Sequence, residues 1–389
     1  MLGTSFSPWP CFTQEEADAV QNVLLSNKVN YWTGSECRAF EQEFADFCST
    51  KFAVAVSNGT VALDVALAAL GVGEGDEVIV TSRTFLASAT SILNAGAKPV
   101  FSDVDRNSQN VTAETLKPLI TPKTAAIICV HLSGWPCDMD PIMSLAQEHG
   151  LAVVEDCAQA HGAKYKGMPV GSIGHIGAWS FCQDKIMTTG GEGGMVTTNV
   201  RSLWEKVWAY KDHGKSWDTV YNKSHPEGFR WLHETLGTNG RMTEMQAAIG
   251  RIQLSRMPDW HASRTFNAEK LLSAFSDLDA IRVPVFPDGC AHYKLYVFVK
   301  PDVLMAGWDR DRLVREIVNE GVPCYQGVCP EIYREKVFVD LKLNPSKRYP
   351  VSKELGETSL MFLVHPTLTE AEIEKTIRVV SKVFQAASK

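Results

Sequence analysis

Hydrophobic and polar positions follow two alternating periods through the first half of the chain. From Lys51 to about Asn199, short apolar runs, often β-branched, alternate with stretches of helical periodicity. Nearly continuous apolar runs are typical of strands whose two faces are both covered by helices in a mostly parallel sheet. The predicted strands are Phe52–Val56, Glu77–Thr81, Pro99–Asp103, Ala125–His131, Ala152–Glu155, Ala178–Phe181 and Met195–Thr198. The pattern therefore predicts an α/β domain with a mostly parallel central sheet.

Helices are predicted between these strands and on both sides of them. Three lie inside the α/β region, at Thr60–Leu70, Leu86–Ala95 and Pro141–His149, each bounded by Gly or Pro. Three capping boxes mark further helix starts, in the pairs Thr13 and Glu16, Thr243 and Gln246, and Thr369 and Glu372. Beyond about Ser263 the pattern predicts a helix, a strand at His292–Val299, a helix at Asp309–Asn319 and a last helix from Glu370. We expect a large domain at residues 1–250 and a smaller C-terminal α+β domain at residues 251–389.

Composition and charge exclude several classes of protein. Of the 389 residues 45% are hydrophobic and 21% charged, which is typical of globular proteins. The net charge is −7 and the basic residues are scattered, so we expect no nucleic-acid partner. Apolar runs fall far short of the roughly 20 residues of a membrane helix, and the N-terminus lacks the pattern of a signal peptide. The ten cysteines form no CxxC pair, so we expect free thiols, no metal centre and a cytoplasmic location.

The turn Ser57-Asn58-Gly59-Thr60 connects a predicted strand to a predicted helix. Backbone N–H groups at a helix N-terminus, together with a hydroxyl, commonly bind phosphate. The same residues also make an ordinary N-cap turn. The turn alone leaves both interpretations open.

Two acids, Glu155 and Asp156, follow a buried predicted strand. The carboxyl ends of parallel strands are where open α/β sheets bind ligands, and a buried carboxylate there needs a cation or a hydrogen-bond donor. The alternative is that either acid caps a helix beginning at Cys157.

Lys185 stands between a predicted strand and the glycine-rich turn at residues 190–194. A lysine amine kept neutral by partial burial is a nucleophile for carbonyl carbon and can form a Schiff base. Ser180 lies close enough in sequence to offer a second hydroxyl to phosphate. The alternative is an exposed lysine beside a glycine turn.

Further motifs accompany these three, at residues 84–88 (Thr-Phe-Leu-Ala-Ser), 155–160 (Glu-Asp-Cys-Ala-Gln-Ala), 191–194 (Gly-Glu-Gly-Gly) and 239–242 (Asn-Gly-Arg-Met). In this order the motifs resemble the DegT/DnrJ/EryC1/StrS family of sugar aminotransferases, which are fold-type I enzymes dependent on pyridoxal phosphate (PLP). The resemblance runs from residues 31–34 to residues 362–366, nearly the whole chain. It implies the fold-type I architecture, a mostly parallel sheet covered by helices, with a smaller C-terminal α+β domain.

The resemblance also implies roles for individual residues. Lys185 would form the Schiff base with PLP and move a proton between the cofactor and the sugar carbon. Asp156 would pair with the pyridine nitrogen, and a carboxylate there keeps that nitrogen protonated, so that the ring remains an electron sink.

Other residues would hold the cofactor in place. Gln159 would lie near its phenolic oxygen, and Phe85 would stack on its ring. Asn239 would reach the phosphate from the neighbouring subunit of a homodimer. The remaining phosphate contacts would come from Gly59, Thr60 and Ser180.

For the reaction, the resemblance implies that glutamate donates an amino group and that a nucleotide-linked keto sugar accepts it. Residues 134–140 and 211–215 favour a 4-keto-6-deoxy sugar for bacterial surface polysaccharide, such as lipopolysaccharide O-antigen or capsule. We prefer UDP-2-acetamido-4-keto-6-deoxyhexose, with GDP-4-keto-6-deoxymannose or a 3-keto sugar as alternatives. Candidate contacts to the nucleotide sugar are Trp32, His161, Lys211, His213, Arg230 and Tyr325. His161 could instead be a core residue, and Arg230 a solvated surface cation.

Two other classes share this fold. In the PLP-dependent sugar dehydratases that resemble this chain, histidine replaces the Schiff-base lysine, so Lys185 argues against that chemistry. A regulatory relative without activity predicts damage to Lys185, Asp156 or the phosphate turn, and all three are intact.

Overall fold

A computed structural model describes residues 6–389. Residues 1–5 lie outside the described residues. They begin the N-terminal segment in which we expect no signal peptide. A seven-stranded sheet forms the centre of the molecule, in the order β1-β9-β8-β5-β4-β2-β3. These strands are β1 (Phe52–Val56), β2 (Glu77–Thr81), β3 (Lys98–Ser102), β4 (Thr124–Val130), β5 (Ala152–Asp156), β8 (Ile176–Ser180) and β9 (Gly194–Thr198).

The central sheet is mostly parallel. Strands β3, β2, β4, β5 and β8 pair in parallel, and β9 runs antiparallel between β8 and β1. Strands β1, β2, β4, β5 and β8 therefore all end at the same edge of the sheet. Strands β2, β8 and β9 are buried at every position, because helices cover both faces. The predicted α/β architecture is confirmed.

The C-terminal part builds a second, antiparallel sheet in the order β10-β11-β13-β12. Its strands are β10 (Ile281–Arg282), β11 (Leu295–Val299), β12 (Cys324–Tyr325) and β13 (Ser359–Phe362). A short hairpin of β6 (Lys164–Tyr165) and β7 (Met168–Pro169) lies apart from both sheets.

Fourteen helices lie within the described residues. They are α1 (Gln14–Leu25), α2 (Glu36–Phe47), α3 (Gly59–Leu70), α4 (Ala87–Asn94), α5 (Ala113–Leu116), α6 (Met139–His149), α7 (Arg201–Tyr210), α8 (Trp217–Tyr221), α9 (Glu244–Ser255), α10 (Met257–Ser276), α11 (Arg310–Asn319), α12 (Lys336–Asp340), α13 (Pro350–Thr358) and α14 (Glu370–Ala387). All three predicted capping boxes are present, at the N-termini of α1, α9 and α14.

The first helix after β1 is the helix most relevant to the site. In α3 the Asn58 side chain accepts a hydrogen bond from the Val61 N–H, so it caps the helix start. The helix ends at Gly71, whose φ of 78° is the left-handed conformation that glycine adopts without steric cost. Because α3 is apolar on most sides, it packs between the sheet, α4 and α7.

Separate hydrophobic cores support the two sheets. One core consists of C-terminal residues between Ala268 and Ala387, with Phe6 from the N-terminal segment packed against it. Ile332, Tyr333 and Phe338, in contrast, join the core of the large sheet. The division at residues 250 and 251 remains a prediction. No helix among the described residues combines the length and the apolarity needed to cross a bilayer.

Candidate active site

A cavity of about 710 Å³ opens where the parallel strands end. The segments after β1, β2, β5 and β8 supply one wall, and residues from the C-terminal sheet supply the other. Seven of the predicted site residues line this cavity, namely Gly59, Thr60, Phe85, Asp156, Gln159, Ser180 and Lys185. The carboxyl edge of a parallel sheet is where such a site is expected.

The N-terminus of α3 and the end of β8 form the part of the cavity suited to phosphate. A Cβ atom on Gly59 would lie 2.5 Å from the Cβ of Ser180, so glycine is required for this close approach. The Ser180 hydroxyl therefore lies beside the first N–H groups of a 12-residue helix, with Thr60 next to it. Helix N-terminal N–H groups and the helix dipole attract an anion to this position.

Asp156 ends β5 and is buried. Its Oδ2 accepts a hydrogen bond from the Ser88 hydroxyl at 2.7 Å, and its Oδ1 accepts one from the Ala158 N–H at 3.2 Å. Burial raises the pKa of this carboxyl, although both hydrogen bonds oppose the shift. Nearby positive charge, chiefly that of Lys185, also opposes the shift, but both hydrogen-bond donors to the carboxylate are neutral. A protonated ring nitrogen would supply a positive charge in direct contact.

Gln159 and Phe85 both line the cavity and could contact a ligand bound there. The Gln159 Oε1 accepts the Ser133 N–H at 2.9 Å, which leaves the side-chain amide N–H groups available. The Phe85 side chain is 67% exposed, unusual for a large aromatic, and its ring lines the cavity. An exposed aromatic face at this point suits stacking on a flat ring.

Lys185 lies in the turn after β8, and its main chain is held at both ends of the residue. Its N–H donates to the Cys182 carbonyl at 3.1 Å, and its own carbonyl accepts the Trp9 indole N–H at 2.8 Å. The Nζ atom lies 5.2 Å from the centre of the Tyr293 ring. The amine thus faces the cavity from a fixed backbone.

Residues that the motifs did not indicate complete the wall next to Lys185. The Tyr293 hydroxyl donates to Asp184 at 2.6 Å, and burial raises the pKa of this tyrosine well above its usual value. The Lys294 Nζ lies 4.8 Å from the same ring and 4.0 Å from Asp184. Tyr293 and Lys294 precede β11, more than 100 residues after Lys185 in sequence. No local pattern indicates that they meet it.

Five predicted site residues do not line the cavity of their own chain. Asn239, His213 and Arg230 belong to the segment between α7 and α9, and Asn239 pairs with Asp212. Trp32 contacts Trp208, and the Lys215 ammonium lies 4.1 Å from the centre of its ring. Tyr325, in β12, is half-buried and lies two residues before Gly327, which lines the cavity.

Two further candidates lie in the core. His161 has no exposed surface and packs between Trp179 and Phe181. In this structure it is therefore a core residue, which was the alternative to a sugar contact. Lys211 is also fully buried, with its Nζ 3.7 Å from the centre of the Tyr31 ring. Neither side chain offers surface to a substrate.

A buried group of His131, Glu155 and Cys157 has the spacing of metal ligands. The His131 Nδ1 accepts the Cys137 N–H at 3.0 Å, so its Nε2 carries the proton and donates to Glu155 at 3.0 Å. Glu155 also accepts three backbone N–H groups of residues 171, 173 and 174. These hydrogen bonds stabilise the buried Glu155 carboxylate, so its burial is explained by a structural role.

The chain matches known proteins along almost its whole length. The family model described as the DegT/DnrJ/EryC1/StrS aminotransferase family matches residues 10–383. The solved structure of the aminotransferase from Psychrobacter cryohalolentis is 62% identical, with a TM-score of 0.97 over 98% of this chain and 99% of that chain. The GDP-perosamine synthase of Caulobacter vibrioides is 37% identical over 89% of each chain. A UDP-N-acetyl-3-dehydro-alpha-D-glucosamine 3-aminotransferase of Acidithiobacillus ferrooxidans is 36% identical over 92% of each.

Fold, site and similarity together define the class, a PLP-dependent nucleotide-sugar aminotransferase with the fold-type I architecture. The chain belongs to the DegT/DnrJ/EryC1/StrS aminotransferase family. The cavity fits the cofactor on observations of this chain alone. Asp156 is a buried carboxylate whose two hydrogen-bond donors are both neutral, and α3 with Ser180 forms an anion cradle. Lys185 supplies the amine.

Proposed function

We propose that this enzyme transfers the amino group of glutamate to C4 of a nucleotide-linked 4-keto-6-deoxy sugar used for bacterial surface polysaccharide. The preferred acceptor is UDP-2-acetamido-4-keto-6-deoxyhexose. The observation that carries the proposal is the convergence of the Lys185 amine, the Asp156 carboxylate and the anion cradle of α3 in one cavity. The cytoplasm remains the predicted location.

PLP supplies an aldehyde that takes up amino groups and a ring that withdraws electrons from the substrate carbon. Asp156 would hold the proton on the pyridine nitrogen, because a buried carboxylate favours a positive charge beside it. With the cofactor bound, the Lys185 Nζ would accept the proton from the Cα of glutamate, and in the second half-reaction it would deliver a proton to the sugar carbon. Gln159 would donate a hydrogen bond toward the phenolic oxygen, and Phe85 would limit movement of the ring.

The anion cradle of α3 and Ser180 would hold the cofactor through its phosphate. Gly59, Thr60 and Ser180 offer backbone N–H groups and hydroxyls to the phosphate. These contacts are independent of Lys185, so the cofactor remains bound while the lysine amine is free to move protons.

Two other acceptor sugars compete with the preferred one. The relatives include an enzyme named for GDP-perosamine and another named as a 3-aminotransferase, so GDP-4-keto-6-deoxymannose and 3-keto sugars are the competing acceptors. Tyr325, beside the cavity, is the proposed sugar contact from the C-terminal sheet.

A sugar dehydratase is a less suitable assignment, since Lys185 occupies the position that histidine takes in the dehydratases of this fold. A regulatory protein without activity is also disfavoured. Its cavity would have no need to retain an amine, a buried carboxylate and an anion cradle together.

We further propose that two copies of the chain share their active sites. The segment between α8 and α9 exposes Phe229, Trp231 and Leu236 at 76%, 82% and 90%, although such residues normally avoid water. Arg230 stands between the first two of these residues. Asn239 follows them in the same segment, and His213 lies before α8. A second copy that covers this segment would bring Asn239 to its cofactor phosphate and Trp32, His213 and Arg230 toward its nucleotide sugar.

The test uses purified enzyme loaded with PLP. Glutamate should remove the visible absorption band of the cofactor, and a suitable keto sugar should restore it. We expect restoration with UDP-2-acetamido-4-keto-6-deoxyglucose and little with GDP-4-keto-6-deoxymannose. A band that glutamate leaves unchanged would contradict the proposal and would favour the dehydratase or regulatory assignments.

A further inference from the structure

Five charged side chains line the active-site cavity, namely Asp156, Asp184, Lys185, Glu192 and Lys294. The cofactor accounts for Asp156 and Lys185. Asp184 and Glu192 are acids and would repel the anionic substrates of this reaction. Among the lining residues of the described chain, Lys294 is therefore the cation without an assigned role.

The backbone of Lys294 is fixed relative to the cofactor site. Its N–H donates to the Ser133 hydroxyl at 3.2 Å, and the same hydroxyl donates to the Lys294 carbonyl at 2.6 Å. The Ser133 N–H in turn holds the Gln159 side chain. Lys294 thus joins the C-terminal sheet to the loop that positions Gln159.

The side chain of Lys294 lies in the wall between the two sheets and is only 14% exposed. The Lys294 Nζ and the Lys185 Nζ both lie near the Tyr293 ring, 4.8 Å and 5.2 Å from its centre. The nearest acid is Asp184 at 4.0 Å, which is too long for a hydrogen bond. Asp184 already accepts the Tyr293 hydroxyl and is more than half exposed.

We propose that the Lys294 ammonium binds an oxyanion of a substrate, either a carboxylate of glutamate or a phosphate of the nucleotide sugar. A partly desolvated ammonium with free N–H groups binds such oxyanions through short, charge-assisted hydrogen bonds. The inference rests on the proposed function, because that reaction brings both anions to this cavity.

The experiment measures the two half-reactions separately in the full-length, PLP-loaded enzyme by stopped-flow absorbance. The variant Lys294→Met keeps the length of the side chain and removes its charge. We expect at least tenfold weaker apparent binding of one substrate, with a smaller change in the limiting rate. Loss in the glutamate half-reaction identifies a carboxylate, and loss in the nucleotide-sugar half-reaction identifies a phosphate. Fluorescence titrations with glutarate and with UDP, which bind without reacting, should show the same selective loss.

The matched control is Lys300→Met, an exposed lysine just past the other end of β11. It should leave both affinities within twofold of wild type, and Lys294→Arg should restore most of the lost binding. If Lys294→Met fails to fold, Lys294→Gln replaces it. Affinities within twofold of wild type for both substrates and both non-reacting ligands would overturn this inference. A wild-type enzyme that does not react with glutamate would instead contradict the proposed function, and the titrations would still test Lys294.

Discussion

At the scale of single residues, the proposed chemistry depends on a buried carboxylate, Asp156, whose hydrogen-bond donors are neutral. Asp156 is buried with neutral hydrogen-bond donors, and burial raises its pKa. A buried carboxylate in this state gains most from a cation, which the protonated cofactor nitrogen would provide. The motif predicted this residue because the strand pattern placed it at the carboxyl end of a parallel strand.

Asp156→Ala should slow the glutamate half-reaction by at least about 100-fold, because the ring nitrogen loses its proton and the ring withdraws fewer electrons. Cofactor binding should persist through the phosphate cradle. Stopped-flow absorbance gives the rate, and equilibrium dialysis gives the PLP affinity. The control is Ser88→Ala, which removes one hydrogen bond to Asp156 and should cost far less. A rate near that of wild type in Asp156→Ala would show that another group protonates the ring.

Most motif residues assigned to the cofactor line the cavity, whereas the residues assigned to the nucleotide sugar do not. Gly59, Ser180 and Lys185 belong to short segments whose order along the chain is characteristic of the family. Tyr293 and Lys294 lie next to Lys185 through the packing of β11 against the first half of the chain. Local sequence carries no signal for such a contact. His161 lies fully buried in the core, which its motif could not indicate because the motif gives no information about burial.

At the scale of elements, the predicted strands of the central sheet agree with the structure within two residues at each end. Their apolar runs are long and bounded by turns, so the period is unambiguous. The strand predicted at His292–Val299 begins later, at Leu295. His292 has a φ of 47°, and Ala291 and Tyr293 bond to the loop of Ser133 instead of a neighbouring strand. Contacts between distant segments set that boundary.

The N-terminal segment links the C-terminal part of the chain to Lys185, the proposed catalytic lysine. The Thr367 hydroxyl donates to the Pro8 carbonyl at 2.7 Å, and the Trp9 ring stacks on His365. The Trp9 indole N–H then holds the Lys185 carbonyl. Trp9 is therefore a positioning residue for Lys185.

Trp9→Phe keeps an aromatic ring and removes the N–H. We expect amide exchange in residues 182–192 to rise about fivefold, since one hydrogen bond contributes on the order of 1 kcal/mol. Hydrogen–deuterium exchange with mass spectrometry measures this change. Trp260→Phe, which alters the indole packed edge-on against Trp9, is the control and should leave that peptide unchanged. Equal exchange in wild type and Trp9→Phe would refute the positioning role.

At the scale of the whole molecule, the proposed dimer makes a prediction about which chain supplies Asn239. Lys185→Ala should be inactive, and Asn239→Asp should be nearly so because its carboxylate repels the cofactor phosphate. In a mixed dimer, sharing across the interface leaves one site with both native residues. Co-expression of the two variants should then restore about a quarter of the wild-type activity. Steady-state assays of the purified mixture would show no recovery if Asn239 acts within its own chain.

Three buried histidines make the stability of the fold dependent on pH. Burial lowers the pKa of His161 to about 3, of His292 to about 4 and of His365 to about 3. These side chains stay neutral when folded and gain protons on unfolding below about pH 6.5. The histidines therefore cost no stability above that pH, and the free energy of unfolding decreases as the pH falls toward 4.

Each histidine should lower the free energy of unfolding by about 2 kcal/mol between pH 7 and pH 5, whereas Glu41, whose pKa burial raises to about 7, acts in the opposite direction. His161→Phe removes one of these groups from an aromatic environment and should make the decline smaller. Differential scanning fluorimetry across this range tests the prediction, with the exposed His149→Gln as control. An equal decline in wild type and His161→Phe would exclude this origin for the effect.

The proposed reaction moves the amino group of glutamate to C4 of a nucleotide-linked keto sugar. Its decisive test supplies PLP-loaded enzyme with ¹⁵N-glutamate and UDP-2-acetamido-4-keto-6-deoxyglucose and analyses the sugar product by mass spectrometry and NMR. We expect the product to carry one ¹⁵N atom, attached to C4. A product without ¹⁵N, or with the label on another carbon, would exclude this reaction.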